Sequence, residues 1–184
     1  MAFRFHALVI LFTCLLALPL LAEVKSGETA PSFELPSAHG KTVKLSDFKG
    51  KYVVLEWVNF GCPFVRKHYD SKNMQNLQKK WKAKDVAWLT ICSSAKGKQG
   101  YNDAKGAQKV VKEEGSLATA YLLDTNGEVG RQYGAKATPH MVVIDPKGKV
   151  VYQGAIDSIK SFQIEDIAKA VNYVDAALTS SMAG

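Results

Sequence analysis

The chain contains 184 residues, of which 47% are hydrophobic, and it carries a formal net charge of +7. This length suits one domain that buries a core of its own. The positive charge is spread along the chain and is nearly all lysine, whereas nucleic-acid-binding surfaces concentrate their charge and favour arginine. We therefore expect no nucleic-acid partner.

Residues 1–22 have the pattern of a secretory signal peptide. Arg4 precedes an uncharged, mostly apolar run from Ala7 to Ala22, and polar residues follow at once. The run is shorter than the ~20 residues that a membrane-spanning helix needs. We predict an exported protein, periplasmic or secreted, which meets the membrane only during export, is cleaved near Glu23 and folds as one domain of residues 23–184. An uncleaved membrane anchor is the alternative.

The mature domain is predicted to begin with a small β-hairpin and a buried strand. Residues 32–48 alternate apolar and polar side chains around Gly40, which favours a hairpin. Residues 51–60 are almost continuously apolar, as in a strand buried on both faces of a parallel sheet. A helix is then predicted to start at Pro63 and to break near residues 70–73.

A second buried strand is predicted over residues 85–94, followed by a lysine-rich helix over about residues 102–114. A strand, a helix and a strand in succession imply a parallel pair. Three further strands are expected at residues 118–124, 139–145 and 149–156. The last two are joined by a short turn with Pro146 and Gly148, so they should form a hairpin.

The C-terminal region is predicted to form one helix that starts near Ser161. Its apolar residues recur with helical spacing. They are Ile164, Ile167, Val171, Val174 and Leu178.

Four stretches of the sequence occur together in an order that is typical of one protein family. They are Gly27 to Leu35 with Ala30-Pro31, Gly40-Lys41 followed by residues 45–55, Cys62-Pro63 at the strand-to-helix junction, and residues 134–154 with Thr138-Pro139. In this order they resemble the redoxin, or alkyl hydroperoxide reductase and thiol-specific antioxidant (AhpC/TSA), family of the thioredoxin superfamily. The resemblance spans nearly the whole mature chain. It implies an α/β thioredoxin-like fold, with a central mixed sheet flanked by helices and an N-terminal β-hairpin extension.

The resemblance also implies which residues are catalytic. In the family, the Thr-Pro pair carries a cis proline that faces the active cysteine. This places Pro139 opposite Cys62 and exposes the backbone of Thr138 for pairing with a substrate peptide. We therefore expect Cys62, Thr138 and Pro139 to form the catalytic set, and the Thr138-Pro139 bond to be cis.

Two departures from the family patterns limit what can be transferred. Val65 stands where thioredoxins have their second cysteine, so an internal attack from that position is impossible. Peroxiredoxins usually carry a proline and a threonine or serine where this chain has Leu55 and Asn59. Activation of a peroxide by a threonine hydroxyl is therefore not implied, although Asn59 could supply a supporting hydrogen bond.

The position of Cys62 favours its thiolate, which is the nucleophilic form of cysteine. The backbone N–H groups and the dipole at the start of a helix favour negative charge, and Pro63 suits the first helical position. Arg66 follows one turn later as a candidate supporting cation. For Arg66 and for His68, a solvated helix face is the interpretation we favour, and an inert buried residue is the alternative for Cys62.

Glu56 and His140 are the remaining polar candidates. Burial in a strand should raise the pKa of Glu56, and thioredoxins keep a buried proton-transfer acid six residues before the active cysteine. The alternative is a carboxylate that reaches water or pairs with a lysine. His140 is expected to be a satisfied strand residue. A copper site formed with Cys62 and His68 is a less favoured alternative, and we expect no metal.

Cys92 ends the second buried strand, so it should emerge with Cys62 near the same edge of the sheet. Only these two cysteines remain after the signal peptide, which argues against a disulfide scaffold. Cys92 is a candidate resolving thiol, and packing at the strand end is the alternative we favour.

These patterns together predict an exported thiol-based oxidoreductase for antioxidant defence or redox homeostasis. Cys62 would attack a disulfide or a peroxide, in a protein or a small molecule, and an external thiol would resolve the product. No cofactor is expected. The alternative is a non-enzymatic thioredoxin-fold binding module with a peptide groove beside Pro139.

Overall fold

A computed structural model describes residues 23–184, and the predicted signal peptide lies outside these residues. The strands are β1 (Glu34–Pro36), β2 (Thr42–Lys44), β3 (Val53–Trp57), β4 (Ala87–Cys92), β5 (Ala120–Leu123), β6 (His140–Ile144) and β7 (Val150–Gly154). The helices are α1 (Pro63–Asp70), α2 (Asn73–Lys82), α3 (Ala104–Glu113), α4 (Glu128–Gln132) and α5 (Tyr173–Ala183), with short 3₁₀ helices at Leu45–Phe48 and Ile164–Lys169. No helix of the described part is both long and apolar enough to cross a membrane.

Five strands form one mixed sheet in the order β5-β4-β3-β6-β7. Strands β3, β4 and β5 are parallel, whereas β6 runs antiparallel to both β3 and β7. Strands β1 and β2 form a separate antiparallel hairpin. The predicted α/β architecture, the parallel pair and both hairpins are therefore confirmed.

The sheet separates two apolar cores, and all five residues of its central strand β3 are buried. One core is covered by helices α1, α2, α3 and α5. The other is covered by α4 and by the N-terminal segment that includes β1. Burial on both faces explains why the β3 region is apolar at successive positions rather than at alternate ones.

The break between α1 and α2 falls where the sequence predicts it. Lys72 adopts a left-handed conformation with φ of 62°, which turns the chain between the two helices. At the start of α1, Cys62 is the N-cap residue in an extended conformation and Pro63 is the first helical residue. This junction places the Cys62 side chain at the carboxyl end of the sheet.

The prediction of one C-terminal helix from Ser161 is wrong. A 3₁₀ helix ends at Lys169, the chain becomes extended, and α5 begins only at Tyr173. Asn172 caps α5 by accepting a hydrogen bond from the Asp175 N–H at 2.9 Å. An asparagine cap starts a new helix and does not extend the preceding one.

As a result, three residues of the predicted apolar stripe, Ile164, Ile167 and Val171, are not in the buried core. Ile164 is 45% exposed and Val171 is 57% exposed, whereas Val174 and Leu178 are buried. The irregular segment 155–171 runs beside α1, where the Phe162 ring meets the Phe64 ring edge-on with a centroid separation of 6.4 Å. The short helix α4 was also not predicted from the sequence.

Candidate active site

The Cys62 thiol lies beside the Thr138-Pro139 turn. Its Sγ donates a hydrogen bond to the carbonyl oxygen of Thr138 at 3.2 Å, and the side chain is partly exposed. The Thr138-Pro139 peptide bond is cis, as predicted. The structure thus brings Cys62 and Thr138-Pro139 together from the start of α1 and the start of β6.

Asn59 fixes the turn that carries Cys62. Its Oδ1 accepts a hydrogen bond from the Gly61 N–H at 2.9 Å, while its backbone carbonyl accepts one from the Cys62 N–H at 2.8 Å. Its Nδ2 donates to Oε1 of Gln99 at 3.1 Å. The supporting hydrogen bond expected from Asn59 is therefore made to the backbone of the turn, and the same side chain ties this turn to the loop after β4.

Cys92 is buried, with 2% exposure, and forms part of the core under the helices. Its Sγ donates to the carbonyl oxygen of Gly100 at 3.2 Å. Both Cys62 and Cys92 are free thiols. A Cβ atom on Gly100 would lie 2.6 Å from the Asn59 side chain, so only glycine fits here without displacing Asn59. Cys92 thus packs under the loop that contacts Asn59.

The Arg66 guanidinium pairs with two carboxylates. It forms an ion pair with Asp70, one turn on, and a second with Glu114 at 2.5 Å. Its side chain is 35% exposed. The helix-face interpretation of Arg66 therefore fits better than a role as the cation beside Cys62.

Glu56 lies in the core and accepts hydrogen bonds from four neutral side chains. The donors are Trp88 Nε1 at 2.6 Å, Tyr69 Oη at 2.9 Å, Gln78 Nε2 at 3.2 Å and Thr90 Oγ1 at 3.5 Å. Burial raises the pKa of Glu56 to about 7, although these donors partly offset the shift. The expected rise is confirmed, and the alternatives of water access or a lysine partner are wrong. Because Tyr69 belongs to α1, Glu56 joins β3 to the helix that begins at Cys62.

His68 is not on a solvated helix face, so that expectation is wrong. It is 2% exposed, its Nδ1 lies 2.8 Å from the Asn73 amide nitrogen, and its Nε2 lies 3.5 Å from Asp157 Oδ2. Burial lowers the pKa of His68 to about 4, so the ring is neutral at neutral pH. A neutral ring that accepts from Asn73 at Nδ1 carries its proton on Nε2, which faces Asp157.

Lys67 is buried beside His68, a position that no sequence pattern indicates. Its side chain is 1% exposed, and its Nζ lies 2.8 Å from the same Asp157 Oδ2. The chain has many lysines, and none of its local patterns marks this one as buried. Its partner Asp157 lies between the predicted last strand and the predicted C-terminal helix, where no sequence pattern indicates burial, so this polar cluster could not be found from the sequence.

The three side chains of the copper alternative do not form a metal site. The His140 ring packs edge-on against Trp57, with a centroid separation of 5.8 Å, and burial lowers its pKa. Trp57 belongs to the core on the α4 side of the sheet, whereas Cys62 packs against the core on the other side. Within residues 23–184, no three or more His, Cys, Asp or Glu side chains are arranged to hold a metal ion.

A family model described as Redoxin matches residues 25–171. The chain belongs to the redoxin family. As a redoxin it is a thiol oxidoreductase, and its mixed sheet with flanking helices is the thioredoxin-like fold.

Three relatives show how far the similarity of this redoxin extends. The thiol-disulfide oxidoreductase ResA of Bacillus thuringiensis subsp. konkukian (strain 97-27) is 27% identical over 149 residues, which cover 81% of this chain and 80% of ResA. The peroxiredoxin Bcp of Bacillus subtilis (strain 168) is 59% identical over only 32 residues, which cover 17% of this chain and 20% of Bcp. The crystal structure of an uncharacterized conserved protein from Geobacillus kaustophilus matches with a TM-score of 0.68 at 27% identity, covering 85% of this chain and 83% of that one.

In this redoxin, iodoacetamide at pH 8 is expected to modify Cys62 at least about tenfold faster than Cys92, because alkylation of the buried thiol requires local opening of the structure. Peptide mass analysis during a time course measures both rates. In denaturant, where burial no longer protects either thiol, the two rates should become similar. Faster modification of Cys92 in the native protein would contradict the assignment of Cys62 as the reactive cysteine.

Proposed function

We propose that this redoxin is an exported thiol-disulfide oxidoreductase in which Cys62 alone forms the covalent intermediate with the substrate. The observation that carries the proposal is the contact between the Cys62 thiol and the Thr138 carbonyl at 3.2 Å, beside the cis Pro139. Cys62 is partly exposed, whereas Val65 replaces a second thiol and Cys92 is buried. The similarity to ResA over most of both chains supports a disulfide as the substrate.

In the first step, the Cys62 thiolate attacks one sulfur of the substrate disulfide. A bond forms between Cys62 Sγ and that sulfur, the substrate S–S bond breaks, and the second sulfur leaves as a thiolate that takes a proton from solvent. A thiol bound to the Thr138 carbonyl loses its donor when it ionises. The carbonyl oxygen is then available to accept a hydrogen bond from the backbone N–H of a peptide substrate.

Resolution requires thiols from outside the chain. A first external thiolate attacks Cys62 Sγ and releases the substrate as a thiol, and a second attacks the sulfur now attached to Cys62. The second attack forms an external disulfide and frees the Cys62 thiolate, so two external thiols supply the two electrons that reduce the substrate. Cys92 could make the first of these attacks only after the contact between its thiol and the Gly100 carbonyl opens, and two external thiols would still be needed to reduce the resulting Cys62–Cys92 disulfide.

Other residues position Cys62 without contacting the reacting atoms. Asn59 holds the turn before Cys62 through the Gly61 N–H, and Pro63 starts the helix whose N-terminus favours the thiolate. Glu56 anchors the same helix to the sheet through Tyr69. Export rests on the signal-peptide pattern of residues 1–22.

Peroxide reduction is the second candidate, favoured by the short but 59% identical match to the peroxiredoxin Bcp. In that reaction the Cys62 thiolate would attack one peroxide oxygen, forming a sulfenic acid and releasing the other oxygen as water or an alcohol after protonation. The Asn59 side chain is hydrogen-bonded to Gly61 and Gln99 and carries no hydroxyl group. It therefore does not reproduce the activation of a peroxide by a threonine hydroxyl in peroxiredoxins.

The test is the mass of the purified mature protein after brief exposure to oxidised glutathione. We expect one glutathione on Cys62, the same adduct in Cys92→Ser, and no adduct in Cys62→Ser. A parallel exposure to hydrogen peroxide with a sulfenic-acid trap measures the second candidate. Absence of any adduct on Cys62 in the folded protein would favour the peptide-binding module without redox activity.

A further inference from the structure

A cavity of about 330 Å³ lies at the end of the sheet opposite the reactive cysteine. Val53 at the start of β3 and Ile144 at the end of β6 line it, and these two residues are paired in the sheet. Cys62 follows the other end of β3, and the Thr138-Pro139 turn precedes the other end of β6. Because residues of a strand are ~3.3 Å apart, the five residues of β3 alone separate the two places by ~13 Å.

The floor of the cavity is apolar, and the chain does not cover it completely. Its apolar lining residues are Ala30, Leu45, Phe48, Val53, Ile144 and Pro146. Leu45 and Phe48, from the first 3₁₀ helix, pack against the core on the α4 side but stay partly exposed. A ligand with an apolar body would remove this surface from water, which is favourable. Concave apolar sites of this size are typical of small-molecule binding.

Lysines from two separate segments surround this apolar floor. Lys49 follows the 3₁₀ helix, Lys147 lies in the turn between β6 and β7, and both side chains line the cavity and are exposed. Within residues 23–184, neither ammonium group is in an ion pair. The third lining lysine, Lys51, pairs with Asp85 at 2.6 Å. Two lysines without a counter-charge therefore remain available to a negative group of a ligand.

Asp145 is the only acidic residue among the described residues that line the cavity, and its carboxylate is engaged within the turn. Its Oδ1 accepts hydrogen bonds from the backbone N–H groups of Lys147 at 2.9 Å and Lys149 at 2.8 Å. These bonds also fix the backbone from which the Lys147 side chain extends. Three lysines and one aspartate leave the lining with a net positive charge, so it attracts anions and repels cations.

We propose that this cavity is a second binding site of the protein, for a free amphipathic carboxylate. The apolar chain or ring of the ligand lies on Leu45, Phe48 and Ile144, and its carboxylate lies between Lys49 and Lys147. Because the reactive-cysteine site contributes no residue to the cavity, this binding does not depend on the proposed function. A bound ligand would join the 3₁₀ helix to the β6–β7 turn and stabilise the folded protein by mass action.

The test is an NMR titration of the ¹⁵N-labelled mature protein at pH 7 with hexanoate, octanoate, octanol and octylammonium. We expect octanoate to bind saturably and to shift the backbone amide signals of Phe48, Gly50, Lys147 and Gly148. It should bind about tenfold more tightly than hexanoate, because two more methylene groups are buried. It should also bind about tenfold more tightly than octanol, which lacks the charge that the two lysines recognise. Octylammonium should not bind saturably.

Variants separate the contribution of the lysines from that of the apolar floor. Lys49→Gln/Lys147→Gln should lower the octanoate affinity about tenfold and leave the octanol affinity unchanged. Lys105→Gln/Lys112→Gln is the matched control, because it removes two exposed lysines of α3, which lie outside the cavity, and changes the net charge equally. Its octanoate affinity should equal that of the wild-type protein. Ser46→Trp, which narrows the cavity from an exposed position, should weaken both ligands.

Several results would overturn the proposed site. They are equal affinities for octanoate and octanol, an unchanged octanoate affinity in Lys49→Gln/Lys147→Gln, and amide shifts confined to residues outside the cavity. Absence of saturation by about 10 mM octanoate would do the same. The rate at which iodoacetamide modifies Cys62 should be equal with and without saturating octanoate. Protection of Cys62 would mean that the carboxylate binds beside the reactive thiol and not at this cavity.

Discussion

Asp157→Asn is expected to lower the free energy of unfolding by about 3–5 kcal/mol at pH 7, the usual cost of removing one partner of a buried ion pair. The wild-type pair is almost fully enclosed, since the Lys67 and Asp157 side chains are 1% and 7% exposed. The substitution preserves the shape of the side chain but leaves the Lys67 ammonium without a counter-charge. The loss should therefore be electrostatic and not a consequence of a cavity.

Urea denaturation of the wild-type and variant proteins measures this difference. Glu34→Gln is the control, because it removes the exposed pair between Lys44 and Glu34 and should cause no clear change. The double variant Lys67→Met/Asp157→Leu should lose less stability than Asp157→Asn, since neither charge remains buried. Similar values for Asp157→Asn and Glu34→Gln would mean that the Lys67 charge is hydrated and the pair does not anchor the segment.

Glu56→Gln is expected to gain about 3 kcal/mol of unfolding free energy relative to the wild-type protein when the pH is raised from 4.5 to 8. The folded-state pKa of Glu56 is raised from 4.5 to about 7. Below pH 4.5 the carboxyl is protonated in both states and costs nothing. As the pH rises through 7, the folded protein must accommodate a buried carboxylate, and stability is lost. Glutamine is neutral at every pH and avoids this loss.

His68 should affect the pH dependence of stability in the opposite direction to Glu56, over nearly the same pH range. Its pKa is lowered from 6.5 to about 4 by burial, so stability is lost as the pH falls from 6.5 through 4. The two contributions nearly cancel in the wild-type protein between about pH 4.5 and 6.5. In Glu56→Gln, of these two contributions only that of His68 remains. Subtracting the unfolding free energy of the wild-type protein from that of the variant removes the titrations that both proteins share and leaves that of Glu56.

Unfolding free energies of both proteins at several pH values between 4 and 8 test this account. The free-energy difference between Glu56→Gln and wild type should grow steadily in favour of the variant from pH 4.5 upward. His68→Gln should show the reverse, with its largest gain relative to wild type at acid pH. A constant difference across the range would show that Glu56 does not titrate with a raised pKa in the folded protein.

The contact between Cys62 and the cis Thr138-Pro139 turn could be predicted because it depends on local patterns. Cys62-Pro63 follows an apolar strand and starts a helix, and Thr138-Pro139 precedes another strand, so the fold itself brings these two junctions to one place. Cys62 and Thr138 are 76 positions apart, and their proximity was predicted from the order of the four stretches that resemble the family. The parallel pair and the hairpins followed from the same kind of local signal.

The buried pair of Lys67 and Asp157 could not be predicted because it joins two distant segments. Lys67 and Asp157 are 90 positions apart, and neither has a neighbour in the sequence that marks it as buried. The apolar spacing after Ser161 favoured a helix, but Asn172 restarts the helix and leaves Ile164 and Val171 exposed. Local periodicity was overruled there by a cap and by packing of the segment beside α1.

Val65 has a consequence for the timing of the proposed reaction. In a chain with a second thiol at this position, an internal attack releases the substrate at a rate that the protein itself sets, because the two sulfurs share a high effective concentration. Here the position holds an apolar side chain that is 1% exposed. The lifetime of the covalent complex would then scale inversely with the surrounding thiol concentration, so a substrate would remain attached longest in the most oxidising surroundings.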